Sequence, residues 1–257
     1  MRRLRKLSLP VLVSLVYLFL YLPIIVLVVF SFNDAQMTYN WHGFTLRWYR
    51  ELFQSQEIWM FLKNSLIVAA SATALSLTLG LMVVYGMKRH LDRFAHIFYI
   101  PVLIPEIVLS VGFLYLFSFF GVPLGLPTII VAHTLLGLAF SVPLLHARLS
   151  EMDKNVVEAS LDLGATRWQT FTKIVIPFLA PAFFSAGLLS WIASFDDFLI
   201  AFFCAGSSSQ TLPLYIYAMV RVGVSPVINA LSVLMLVFSC LLVVLYSSIK
   251  FKSKDIV

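Results

Sequence analysis

Glu158-Ala159-Ser160-Leu161-Asp162-Leu163-Gly164, with its continuation to Ile174-Val175-Ile176-Pro177, is the longest interval between apolar runs that carries acids, bases and a helical pattern together. Glu158, Ala159, Leu161 and Asp162 separate apolar from charged positions at helical spacing and read as one short amphipathic helix. Gly164 ends it, because glycine readily takes the left-handed conformation that closes a helix. Thr166 is placed to cap a second helix running through Lys173, and Pro177 is expected to break the pattern before the next apolar run. The expected product is a helix, a bend and a helix, standing outside a membrane on a chain otherwise mostly inside it.

The membrane follows from composition. The chain has 257 residues, 61% hydrophobic and 12% charged, with a mean hydropathy of +0.96. Soluble domains are nearer half apolar and a quarter charged, so this is an all-α polytopic membrane protein. Almost the whole length goes into spans, which leaves a single transmembrane domain over 1–257. A net charge of +6 in such a chain reports orientation in the lipid bilayer rather than nucleic acid. Cys204 and Cys240 both lie in apolar runs and imply neither a disulfide framework nor a metal site. Arg2, Arg3, Arg5 and Lys6 before an apolar run imitate a signal peptide. The run is too long for one and no small-residue cleavage site follows, so it reads as a retained first span.

A span needs about 20 apolar residues. Six segments qualify: roughly 10–32, 62–87, 95–120, 126–148, 178–204 and 226–249, with 149–177 as the loop quoted above. Pro23 in the first is tolerated where neighbours satisfy the freed carbonyl. The second carries Ser65, Ser71, Thr73, Ser76, Thr78, Gly80 and Gly86, small residues that favour close helix contact over lipid. Of the 18 Lys and Arg, all but Arg47, Arg50, Lys63 and Arg221 fall on one side of this six-span arrangement. The positive-inside rule then places both termini and the 149–177 loop in the cytoplasm. Outside lie residues 33–61, 121–125 and 206–225. Within the first of these, 45–53 has helical periodicity with grouped aromatics, and reads as an interfacial helix or a docking element.

No nucleophile–base pair, phosphate-binding glycine loop or His/Cys cluster appears, so catalytic and metal residues are both assigned as none. His90, His96, His133 and His146 sit on or near span ends and read as satisfied interfacial or interhelical histidines. The informative residues are acids inside spans, each costing about 2.5–3.5 kcal/mol at mid-helix and therefore functional by default. Helix neighbours point about 100° apart, so Asp196 and Asp197 cannot share a face. Asp197 falls with Ser190, Ala193, Ser194 and Ala201 on a small, partly polar stripe, fit for a water-filled path or a tight helix contact. Asp196 falls with Ile192, Leu199 and Ile200, a more apolar face on which it needs an interhelical partner. Trp191, Phe195 and Phe198 form an aromatic row nearby, which either packs or holds a cation by its ring faces. Glu106 follows Pro101 and Pro105, where it bonds freed amides or faces a pathway.

The 158–177 stretch resembles the coupling loop of ABC importer permeases: Glu-Ala-Ala, three residues, Gly, nine residues, Ile, one residue, Leu-Pro. Glu158, Ala159, Gly164, Ile174 and Pro177 stand at those places, while Ser160 replaces the second alanine and Ile176 the leucine. The outer segment 40–49, Ser194-Phe195-Asp196-Asp197 and the segment 221–230 are similar to polyamine importer permeases of the spermidine/putrescine type. The resemblance covers nearly the whole chain. It implies a type I ABC importer permease fold in a bacterial inner membrane, with Glu158, Ala159, Ser160, Gly164, Ile174 and Pro177 coupling to an ATPase. Asp197, Asp196, Glu106, Ser194, Trp191 and Phe195 would line the substrate pathway. It further implies a second, different permease, two cytoplasmic ATPase subunits that bind ATP and Mg, and an extracytoplasmic solute-binding protein. The chain itself then needs no cofactor and is not an enzyme. Alternatives are an importer of another small solute or a metal ion, and an ion-coupled secondary transporter using the acids as relays. Inverted repeats that would support the latter are not apparent.

Overall fold

The computed structural model describes residues 2–35, 40–87, 94–207, 209–223 and 226–254. Among them every regular element is helical, and Asn33 and Phe44 form a single antiparallel bridge. The helices are α1 (Arg2–Phe30), α2 (Arg47–Gln54), α3 (Gln56–Gly86), α4 (Ile100–Leu103, after a 3₁₀ turn Ala95–Tyr99), α5 (Glu106–Phe119), α6 (Leu126–Ser150), α7 (Lys154–Asp162), α8 (Arg167–Thr170), α9 (Ile176–Phe195), α10 (Leu199–Cys204), α11 (Leu212–Val222) and α12 (Pro226–Lys254). A π-turn, Phe171–Val175, joins α8 to α9. Four helices are long and apolar enough to cross a membrane: Pro10–Phe30, Gln56–Gly86, Leu126–Ser150 and Arg167–Phe195. A bent pair, His96–Leu103 with Glu106–Phe119, makes a fifth if taken as one span. The expected 226–249 span is helical, and its side chains are described as far as Leu241. The basic residues Lys88, Arg89 and Arg93, together with His90, lie outside the described residues.

The chain divides into two compact units. The first combines Met1–Ile58 with Ile216–Val257. In it α12 packs on α1 and α2, and the segment between α1 and α2 gathers around buried Asn33. The Asn33 amide donates to the Asn40 carbonyl at 2.7 Å and accepts the His42 N–H at 2.8 Å. The Trp48 indole donates to the Asn33 backbone carbonyl at 2.7 Å. α2 matches the helix expected at 45–53; Trp48 and Leu52 point inward, while Phe53 and Leu46 stay exposed.

The second unit is Trp59–Tyr215, with α6 at its centre and α9 lying along it. Small residues bring α3 against α6. A Cβ on Gly137 would meet Ser76 at 2.7 Å, and the Ser141 hydroxyl donates to the Ser76 carbonyl at 2.8 Å. The packing expected of α3 from its small residues is therefore seen at Ser76 and at Gly80, which lies against Ser141, but not at Gly86, which faces open space. One apolar cluster gathers Phe113, Phe117, Ile129, Ala132, Ile200 and Cys204; another gathers Val84, Val142, Leu145, Val175 and Leu179.

Three expectations need correction. The 95–120 run is not one helix: its halves meet at 102°. Pro105 has no amide to donate and forces the preceding Ile104 into an extended conformation, ψ 136°, which ends α4. The 178–204 run is also interrupted, between Phe195 and Leu199. Pro177, conversely, does not break the helix. Its ring would clash with the carbonyl of Lys173 in a regular ladder, and that carbonyl lies within the π-turn, whose wider winding makes room. The 206–225 segment holds a helix, α11, that periodicity does not reveal.

Candidate functional site

The 149–177 loop is built as its local chemistry dictates. Asp153 caps α7 by accepting the Asn155 N–H at 2.9 Å. Gly164 has φ +88°, and the amides of Gly164 and Ala165 return to the carbonyls of Leu161 and Ser160 in a Schellman closure. Thr166 and Gln169 form a reciprocal capping box at the start of α8. The Ser160 hydroxyl pairs with that of Thr170 at 2.9 Å, fastening α7 to α8. Serine at this place thus makes a bond that alanine could not. Glu158, Ala159, Gly164 and Pro177 are exposed, Ser160 and Ile174 half-buried. Leu163 and Trp168 are 89% and 70% exposed, so the bend presents an apolar tip.

The intramembrane site forms where α9 stops. Asp197 is buried, its side chain 1% exposed, in the short non-helical link to α10. Its Oδ1 accepts the Ala201 N–H at 2.9 Å, which satisfies an amide in the first turn of α10. The same Oδ1 lies 3.1 Å from Nε2 of His133 on α6. The His133 Nδ1 lies 2.7 Å from the Ser194 hydroxyl on α9. One imidazole therefore ties both ends of the interruption to α6. Asp197 Oδ2 is buried without a hydrogen-bond partner. Glu106, the exposed first residue of α5, comes near enough to Asp197 for the two carboxyl groups to interact.

This geometry revises the helix-face reading. Asp197 and Ser194 do meet, but through His133 rather than on one continuous stripe, because the helix ends between them. Asp197 is the carboxylate paired between helices, and Asp196, expected to need such a partner, is exposed at the break. Trp191 and Phe195 stack at 6.4 Å with their planes 8° apart. Phe198 lies within the break and packs on Phe202 at 5.6 Å, so the expected row is divided. Grouped by sequence with histidines near span ends, His133 is not singled out there as a site residue. Its signal was available: it stands inside an apolar helix, where an ionisable side chain is functional by default.

Residues 76–251 match the family described as binding-protein-dependent transport system inner membrane component. The chain belongs to that family. It is 34% identical over 233 residues to the spermidine/putrescine transport system permease protein PotC of Escherichia coli K12, covering 89% of this chain and 88% of that one. The putrescine transport system permease protein PotI of the same organism is 35% identical over 237 residues, covering 88% and 84%. A crystal structure of a bacterial ABC transporter involved in the import of the acidic polysaccharide alginate superposes with a TM-score of 0.73 at 15% identity, covering 96% of each chain. The all-α fold is thus that of an ABC importer permease, a multi-pass inner-membrane transport component rather than an enzyme.

Proposed function

We propose that this chain is one of two different transmembrane subunits of an importer that passes spermidine or putrescine from an extracytoplasmic binding protein into the cytoplasm. Two cytoplasmic ATPases bind ATP and Mg and supply the energy. The observation that carries the substrate reading is the buried Asp197 carboxylate at the helix break, with Glu106 beside it and Asp196 exposed next to it. An ammonium group leaving water meets a lower electrostatic cost near such acids. The identities with permeases named for spermidine and putrescine support the same reading.

At the other end, the capped bend with exposed Leu163 and Trp168 is the surface that docks on an ATPase. Glu158, Ala159, Ser160, Gly164, Ile174 and Pro177 shape it. ATP-driven closure of the ATPases draws the loops of the two permeases together and turns the pathway outward; hydrolysis resets it inward. Six spans with both termini cytoplasmic complete the arrangement.

The test of function is spermidine uptake into proteoliposomes holding the complete complex with its binding protein. ATP-dependent accumulation is expected, and its absence with a binding protein that retains spermidine sinks the substrate reading. The topology is checked by labelling single cysteines: Gln54→Cys is expected to react only from outside and Lys252→Cys only from the cytoplasm. The opposite pattern at either position overturns the six-span arrangement.

A further inference from the structure

The Asp197 carboxylate has two oxygens with different employment. Oδ1 is taken twice, by the Ala201 N–H at 2.9 Å and by His133 Nε2 at 3.1 Å. Oδ2 is equally buried and receives no N–H or hydroxyl hydrogen bond; the group that interacts with the Asp197 carboxylate beside it is the Glu106 carboxyl, which can bond it only while protonated. A carboxylate oxygen withdrawn from water and left unbonded is costly, and such groups persist where something supplies the missing donor in the working cycle. We infer that His133 is the positioning residue for Asp197: it holds Oδ1 and thereby reserves Oδ2 for an ammonium group of the solute. This inference rests on the polyamine reading above.

The chemistry of the ring supports the division of labour. An ionised carboxylate only accepts hydrogen bonds. With Asp197 ionised and the imidazole neutral, the ring proton sits on Nε2 and is donated to Oδ1. Nδ1 is then the acceptor, and the Ser194 hydroxyl, 2.7 Å away, is the donor that selects this tautomer. His133 belongs to α6, whereas Ser194 lies in the last turn of α9 and Asp197 precedes α10. A ring anchored on a different helix from the carboxylate fixes its rotation more firmly than the three-residue link could. The nearby ionisable groups are Glu106 at the start of α5, Asp196 at the break and Cys204 on α10. None of these supplies a positive charge, and an ammonium group arriving beside Oδ2 takes the place of a proton shared with Glu106.

The experiment measures initial spermidine uptake per assembled complex in proteoliposomes, with complex amount determined separately. The variants are His133→Leu, His133→Gln, Asp197→Asn and the double variant His133→Leu/Asp197→Asn. Glutamine places an N–H donor near the position of Nε2, and leucine removes it. We expect His133→Leu to lose at least tenfold, His133→Gln to stay within about threefold of the wild type, and the double variant to be no worse than Asp197→Asn alone. Non-additivity of that kind marks a residue acting through its neighbour, and simple loss of packing would not produce it. Wild-type uptake in His133→Leu, failure of glutamine to rescue, or a further tenfold loss in the double variant overturns the inference while leaving the transport reading intact. A wild-type complex that takes up no spermidine brings down both.

Discussion

Two apolar runs in this chain are interrupted inside the second unit, and they are interrupted differently. At Ile104–Pro105 the cause is covalent: a ring without an amide, and a preceding residue pushed to ψ 136°. At Asp196–Phe198 there is neither proline nor glycine. There the ladder is replaced by side chains: a carboxylate that takes the Ala201 amide and a histidine 64 residues away that holds the carboxylate. The first interruption is written into two adjacent residues and has other sequence solutions. The second depends on a bond across the fold, so a single substitution can remove what maintains it.

The largest effect should therefore come from the second interruption. Asp197→Asn keeps the volume but loses the charge-assisted bond to His133, about 1.5–3 kcal/mol for a charged group. Uptake per assembled complex should fall at least tenfold, and Asp196→Asn should fall less because that carboxylate is exposed. Equal uptake in Asp197→Asn and wild type would make the two interruptions alike.

An intermediate effect is expected where geometry is local but unforgiving. Gly164 sits at φ +88°, a conformation that costs a side-chain-bearing residue about 1–2 kcal/mol. Gly164→Leu should leave the complex in the membrane while uptake per ATP hydrolysed drops severalfold; unchanged coupling would show that the Schellman closure is dispensable. The smallest effect belongs to the proline interruption. Pro105 occupies the N-cap of α5, a place that serine fills well. Pro105→Ser should preserve the bend and keep uptake within about twofold, whereas a tenfold loss would show that this break too has a single solution.

The same contrast explains what could be read in advance. The loop from Asp153 to Thr170 closes through caps and a glycine only a few residues from what they stabilise, so Gly164 and Thr166 announced their roles. The acids at 106, 196 and 197 were conspicuous because charge is costly in an apolar run. Their division of labour was not visible, because it follows from where α9 stops. The carboxylate just past that endpoint is held by His133, 64 residues away in the chain, and no helical periodicity encodes a partner at such a separation. The helix-face count for Asp196 and Asp197 assumed an unbroken ladder and so assigned the interhelical bond to the wrong neighbour. Pro177 misled for a related reason: a proline stops a regular ladder, but not one that widens before it.

That widening leaves one residue of slack at the junction between loop and membrane. Five residues, Phe171–Val175, are wound at π rather than α pitch, so the turn holds about one residue more than a regular one. Losing a residue within this turn would let it tighten to ordinary winding while Trp168 and the capped bend keep their heading. Losing a residue within α9, where there is no surplus, would swing the whole bend by about 100° around the helix axis. The direction in which the loop points is thus buffered against a change of length at this one place and exposed to it immediately beyond.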